Sequence, residues 1–398
     1  MQVERASNRG VRLRNRSALL TRLFLEGPLT RQDLSRRTGL SQPAVSNVVS
    51  DLIDDGIVEE AGALESDGGR PSMMLRVDPG FAVVAGVDVG ETRVRVELFD
   101  LGLRRLAEHD HPIEPGGTPP EAVAGHILTG LDAVAAGREV LGAGVGVSGI
   151  VQQRPEGALV HAQTLGWDAV PLEALLRAGT RVPLHLENGA KTLGQAEMWF
   201  GAGRGHRHAV FALLGSGVGA AVVTGGTTYR GASSSAGEWG HTTLVYGGRP
   251  CRCGSAGCLE AYAGAAAILA RFRERSGRPA PGGDEESRLT ALAAAAAAGE
   301  PDARAILDET ADYLGAGVAN LVNLFNPELV VLGGWAALAL EDLLPRVRAS
   351  AARHALRQPF AQTRIELGRL GLDAVALGAA TLPIARLLTG GGVGPPAA

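Results

Sequence analysis

Cys251, Cys253 and Cys258 are the only cysteines in 398 residues, and His241 lies ten positions before the first of them. Three sulfurs and one imidazole make a complete tetrahedral zinc set, which leaves no open position for water, so such an ion is structural rather than catalytic. Gly254 and Gly257 let a short loop turn tightly enough for all three thiolates to face one ion. Two acids, Glu238 and Glu260, bracket the segment, and a metal clamp would bring them near each other. The competing reading is three unrelated buried thiols and a surface histidine. The lack of any cysteine elsewhere favours the cluster.

The rest of the chain has to position that knot. A net charge of −4 and 45% hydrophobic residues describe an ordinary globular protein with length for two or three domains. One cysteine cluster and no disulfide framework suit a reducing cytoplasm. The start MQVERASNRG lacks the apolar core of a signal peptide. The apolar run at 209–226 holds five glycines among Ser and Thr, which predicts a buried strand–turn–strand and no membrane span. Lys191 is the only lysine.

Residues 1–50 carry nine arginines against Glu4, Glu26 and Asp33, a local basic excess that points to a polyanionic partner. Beneath the charge, Leu19, Leu20, Leu23 and Phe24 form a helical stripe ended by Gly27-Pro28. Thr30 caps a second helix with Asp33 at its third position, and Thr38-Gly39-Leu40-Ser41 supplies a turn and a new cap. A third helix from Gln42 buries Val45, Val48, Val49 and Leu52. This is a helix–turn–helix pattern. Its candidate DNA contacts are Arg31, Ser41, Gln42, Ala44, Ser46 and Asn47, small or polar groups near the start of a recognition helix, with Arg31 at the helix before it. Strands at 56–60 and 73–77 flank the loop SDGGRPS, a wing with Arg70 at its tip, placed to enter a minor groove. A helical protein-docking module is the competing reading.

Around the cysteines, the order Gly-Glu-x-Gly-His followed by Cys-x-Cys-Gly-x-x-Gly-Cys-x-Glu resembles the signature of the ROK family (repressors, open reading frames and sugar kinases). Further landmarks run from about residue 84 to 380. The resemblance implies a MarR-like winged helix at 1–80, then an α/β actin-like, ribonuclease H-like two-lobed sugar-kinase fold with a structural zinc. The first lobe would span 81–187 with the C-terminal helix 374–388, and the second 188–373. The glycine- and proline-rich end, 389–398, reads as a disordered tail. The resemblance also implies that Asn188, Glu238, His241 and Glu260 hold a sugar's hydroxyls, while His241 joins Cys251, Cys253 and Cys258 on the zinc.

The same resemblance exposes departures on the phosphate side. Asp88, Gly90 and Thr92 match the family's first phosphate loop, but Glu91 stands where kinases carry Gly, and a carboxylate there would oppose a polyphosphate. The kinases read Glu-Asn-Asp-Ala, with the Asp as general base; here the order is Glu187-Asn188-Gly189-Ala190. Glycine has nothing to titrate, and Glu187, its neighbour but one on a strand end, points away from Asn188. The second phosphate loop at 211–221 is retained. The adenosine-side turn, normally all glycine, carries Trp335. The sequence GVGVSG at 144–149 matches a dinucleotide pattern, but a strand rather than a helix follows it. Residues 261–324 read as a helix-rich insertion.

An altered catalytic side beside a whole binding side implies a sugar- or sugar-phosphate-responsive DNA-binding transcriptional regulator, a repressor of carbohydrate genes and not an enzyme. Its partners would be operator DNA and a sugar or sugar-phosphate effector, with no membrane. The resemblance, together with the two-fold logic of operators, implies a homodimer or dimer of dimers. Removing the base leaves room for a 6-phosphosugar, or for a pentose with no sixth carbon. The alternative is an active ATP-dependent sugar kinase with an added DNA-binding domain.

Overall fold

Two caps set the local geometry of the N-terminal unit. The computed structural model describes residues 8–64, 72–114 and 117–393. Thr30 Oγ1 accepts from Asp33 N at 3.1 Å while the Asp33 carboxylate accepts from Thr30 N at 3.2 Å, a reciprocal capping box that starts helix Arg31–Thr38. Gly39 closes that helix at φ 73°, and Ser41 caps the next, Gln42–Asp54. Val45, Val48, Val49 and Leu52 of this recognition helix are buried against Leu19, Leu20 and Leu23 of helix Asn8–Glu26. Strands Leu29–Thr30, Ser72–Val77 and Val58–Leu64 form a three-stranded antiparallel sheet in that order. The wing tip, with Arg70, lies outside the described residues.

Beyond the winged helix, one topology occurs twice. The first sheet has the order Leu184–Asn188, Val140–Val147, Val83–Val89, Arg93–Asp100, Arg105–Pro112. The second has the order Arg364–Leu367, Leu329–Gly333, Ala209–Leu214, Val218–Thr224, Thr227–Thr228. In each, three consecutive strands pair antiparallel and two later strands add in parallel on the other side of the first. The parallel strands are reached through helices, as parallel pairing requires. Two such lobes face each other in the actin-like architecture. Helices Ala265–Ser276, Glu285–Ala297 and Pro301–Phe325 bury the second lobe's outer face.

The C-terminal helix Ala374–Thr389 lies on the first lobe. A Cβ on Gly86 or Gly144 would fall 2.0 Å from Ala376 O or 1.8 Å from Ala379 O, so only glycine lets the helix backbone rest directly on those strands. The apolar length of this helix is explained by that burial. Residues 390–393, read from the sequence as part of a disordered tail, make defined contacts. Gly391 O accepts from Arg16 Nε at 2.7 Å, and Gly391 and Gly392 pack on Leu13, Leu20 and Ile57, so residues 390–393 are seated on the winged helix.

Glu97 tests the first lobe's electrostatics. It is fully buried, accepts from Arg105 at 2.8 Å, and has a second oxygen without a partner among the described residues. Burial pushes its carboxyl up to about 7 from the usual 4.5. A raised folded-state value binds the proton more tightly in the native protein. Stability tied to it is therefore complete below about pH 4.5 and lost as pH rises through about 7. Glu97→Gln should raise the thermal midpoint at pH 8 by the equivalent of roughly 2–3 kcal/mol and much less at pH 5. Equal effects at both pH values in a melting series would contradict this origin.

Candidate functional site

A cleft of about 130 Å³ lies between the lobes, at the tips of their hairpins. Asp88, Gly90, Glu91, Thr92 and Arg93 line it from the first lobe; Gly215, Ser216, Gly217, Glu238, His241 and Glu260 line it from the second. Asn188 and Gly189 form its floor, where strand Leu184–Asn188 turns into helix Gly189–Phe200. Asn188 caps that helix through Oδ1 to Lys191 N at 3.1 Å and donates from Nδ2 to Gly149 O at 2.7 Å. The four residues expected to meet sugar hydroxyls thus share one cavity. Glu260 is the most restrained of them: one oxygen accepts from Val218 N at 2.9 Å and the other from Arg252 Nε at 3.1 Å. Burial holds Glu238 above the usual carboxylate range, and raises half-buried Asp88 to about 6.

His241, Cys251, Cys253 and Cys258 offer four donor atoms that all lie within 4.8 Å of one another. Cys253 Sγ and Cys258 Sγ are 3.8 Å apart, and Cys251 Sγ is 3.6 Å from His241 Nδ1. A zinc–sulfur distance of ~2.3 Å implies a tetrahedral edge of about 3.8 Å, so the spacing fits a metal better than a disulfide. With Nδ1 turned to the sulfurs, His241 Nε2 is the nitrogen left for the cleft. The set fits a tetrahedral cation.

Several contacts were invisible to motif reading. Arg252 reaches across to Glu91, the carboxylate expected to oppose a polyphosphate, and pairs with it at 3.0 Å. The same guanidinium bridges to Glu260, and a Cβ on Gly217 would lie 3.0 Å from its Nη2. An arginine–carboxylate pair therefore stands between the turns at Glu91 and Gly217. Trp335 is half-buried, and its indole packs on Gly215, with Nε1 3.1 Å from where a Cβ would sit. Thr164 lines the cleft with a buried hydroxyl that has no partner among the described residues. It lies in the short turn of helix Gln163–Leu165, which Gly166 closes at φ 71°. Lys191 is buried, donates to Ser234 O, and has its pKa lowered by burial. Glu187 is turned away from the cavity into an ion pair with Arg230 at 2.5 Å.

At the other end of the molecule, Ser41, Gln42 and Asn47 are exposed, and Ala44 and Ser46 are half-buried, on one end of the recognition helix. The basic excess read from residues 1–50 is largely spent inside the unit. Arg12 pairs with Asp51, Arg16 with Asp55, Arg22 and Arg37 with Glu26, and Arg36 with Asp33. Among the described residues of that stretch, Arg14 and Arg31 have no acidic partner. Arg31 starts helix Arg31–Thr38, beside the recognition helix.

Residues 84–386 match the ROK family, and residues 18–68 match the MarR family. The xylose repressor of Caldicellulosiruptor bescii is 29% identical over 373 residues, covering 91% of this chain and 93% of its own. The glucokinase of Halalkalibacterium halodurans is 32% identical over 308 residues, covering 74% of this chain and 92% of its own. A solved ROK family transcriptional regulator, a homologue of the E. coli MLC protein, shares the fold with a TM-score of 0.79 at 24% identity, over 96% of this chain and 98% of that one. A family match across most of the length, on a twice-repeated lobe with a His/Cys cluster at its cleft, leads to one assignment: the chain belongs to the ROK family.

Proposed function

We propose that this protein is a cytoplasmic, sugar-responsive transcriptional repressor of carbohydrate genes, with a kinase-like body that senses its effector and does not phosphorylate it. The observation that carries the reading is a MarR-type winged helix joined to a cleft whose base position is Gly189. Likeness to a xylose repressor extends over winged helix and body alike, whereas the glucokinase likeness covers 74% of the chain. Asn188, Glu238, His241 and Glu260 bind the sugar. His241, Cys251, Cys253 and Cys258 hold one zinc per chain, which supplies no chemistry and fixes the imidazole and the loop carrying Arg252. The protein binds operator DNA as a homodimer or a dimer of dimers.

The effector is a pentose of the xylose type. A Cβ at Gly189 would meet Leu213 Cδ2 at 3.6 Å, Val147 O at 3.6 Å and Val375 Cγ1 at 3.7 Å. These nearest atoms are apolar apart from one carbonyl, poor company for a sixth-carbon phosphate. In a thermal-shift panel, pentoses should raise the unfolding midpoint more than hexoses or 6-phosphosugars. Preference for plain glucose over both other classes would contradict the assignment.

On DNA, Arg31→Ala should weaken binding across sequences and reduce the salt slope by about 1, as loss of one phosphate contact does. Gln42→Ala or Asn47→Ala should instead relax preference at one base position, at ~1–3 kcal/mol. Competition binding against operators varied one position at a time separates the two. A uniform loss for all three variants would remove the recognition-helix assignment.

A further inference from the structure

Two helices, Gly189–Phe200 and Ala374–Thr389, run from the cleft to the DNA-binding unit and cross each other on the way. The winged helix shares one apolar core with the first lobe and the C-terminal helix: Leu19, Leu20 and Leu23 pack with Val84, Phe99, Ile384, Leu387 and Leu388. It is fastened there further by Arg16 on Gly391 O. Helix Gly189–Phe200 joins the second lobe's core, where Leu193 packs with Phe211 and Ala221, and also lies on the C-terminal helix at Ala374 and Val375, with Trp199 reaching the winged-helix core. Its 12 residues span about 18 Å at ~1.5 Å each, from the cleft floor at Asn188 to an aromatic end.

That end touches the DNA-binding unit. Trp199 and Phe200 meet Phe24 edge-to-face at 5.7 Å and 6.0 Å, and Arg204 donates to Leu25 O at 3.1 Å. Phe24 and Leu25 lie in the last turn of Asn8–Glu26, the helix against which the recognition helix packs. Midway along, the helix crosses the C-terminal helix closely: a Cβ on Gly378 would sit 1.9 Å from Thr192 O, and Gln195 Nε2 donates to Thr381 Oγ1 at 2.8 Å. A rigid rod with its start in the cleft, a tight crossing at its middle and its end on another body has the layout of a lever.

We infer that helix Gly189–Phe200 transmits occupancy of the cleft to the recognition helix through the contact of Trp199, Phe200 and Arg204 with Phe24 and Leu25. Rotation of the second lobe about the crossing at Gly378 moves the aromatic end against the winged helix, which stays with the first lobe. Packed contacts of this kind have discrete arrangements and do not deform continuously, so a small rotation repacks them. The inference rests on the cleft being the effector site.

The test is operator binding by Trp199→Ala and Arg204→Ala proteins, full length, with and without D-xylose. Effectors commonly change affinity by ~5–150-fold, and here that factor should fall to below about twofold in each variant. Operator affinity without sugar and sugar affinity without DNA should both stay within about threefold of the unmodified protein, since neither residue touches either ligand. Phe24→Leu, which keeps volume but not the edge-to-face pair, should give an intermediate factor and guards against a folding defect in the alanine variants. Unchanged coupling in folded Trp199→Ala and Arg204→Ala proteins would overturn the lever while leaving the effector site intact. Absence of any sugar effect in the unmodified protein would instead overturn the effector assignment, and the lever with it.

Discussion

Cys253→Ser is expected to lose both the metal and the sugar response. The loop between His241 and Cys258 has no regular secondary structure; it is held by two isolated bridges, turn hydrogen bonds, the Arg249–Glu274 and Arg252 ion pairs, and the packing of Leu244 and Val245. Structural zinc sites supply an apparent ~10–16 kcal/mol in small peptides, far more than such turns contribute. Without the ion, three thiols remain packed together, and burial already pushes Cys251 up to about 12. His241 then has nothing to fix its ring, and Arg252, between two ligand cysteines, is released from Glu91 and Glu260. One substitution is thus expected to disorder two of the four proposed sugar contacts, His241 and Glu260. Elemental analysis should find about one zinc per unmodified chain and much less in the variant, and calorimetric sugar affinity should fall ~100-fold or more, the loss of about two charge-assisted hydrogen bonds. Equal sugar affinity in metal-loaded and metal-stripped protein would break the link.

Gly189→Asp is expected to leave the protein without useful kinase activity. If position 189 is the general-base position, as proposed, the missing base accounts for ~10²–10⁴-fold by itself, and a Cβ at 189 makes only ordinary contacts. Positioning and charge stabilisation carry most of phosphoryl transfer, however, and those are obstructed independently. The Glu91–Arg252 pair stands between the turns at Glu91 and Gly217, and the Trp335 indole lies on Gly215. Adding Glu91→Gly and Trp335→Gly to Gly189→Asp should recover measurable ATP-dependent turnover where the single change does not. A coupled assay on all three forms decides this. Sugar phosphorylation by the unmodified protein, abolished by Asp88→Asn or Glu238→Gln, would make it a bifunctional kinase.

What could be read from sequence was local. Thr30 and Ser41 act within three residues, the buried valines of the recognition helix recur at helical spacing, and the His/Cys cluster that could hold a metal falls within 18 positions. Each is a short-range rule expressed in residue type. The misses are long-range pairings between ordinary residues. Arg252 and Glu91 are 161 positions apart, and nothing in either neighbourhood names the other. The N-terminal arginines looked free because Asp51 and Asp55, which take up Arg12 and Arg16, follow the stretch that was counted. The glycine run after Thr389 looked structureless because its anchor is Arg16, 375 positions away. Thr164 carries no motif, and only burial reveals its unpartnered hydroxyl.

The measurement that bears most directly on the account is fluorescence-anisotropy titration of a selected operator with the unmodified protein and with Glu238→Gln, each across a range of D-xylose. The account predicts that sugar changes operator affinity of the unmodified protein by at least about fivefold. Glu238→Gln should bind the operator equally well without sugar and need far more sugar for the same change. Operator affinity indifferent to every pentose, hexose and 6-phosphosugar, or a full sugar response retained by Glu238→Gln, would contradict it.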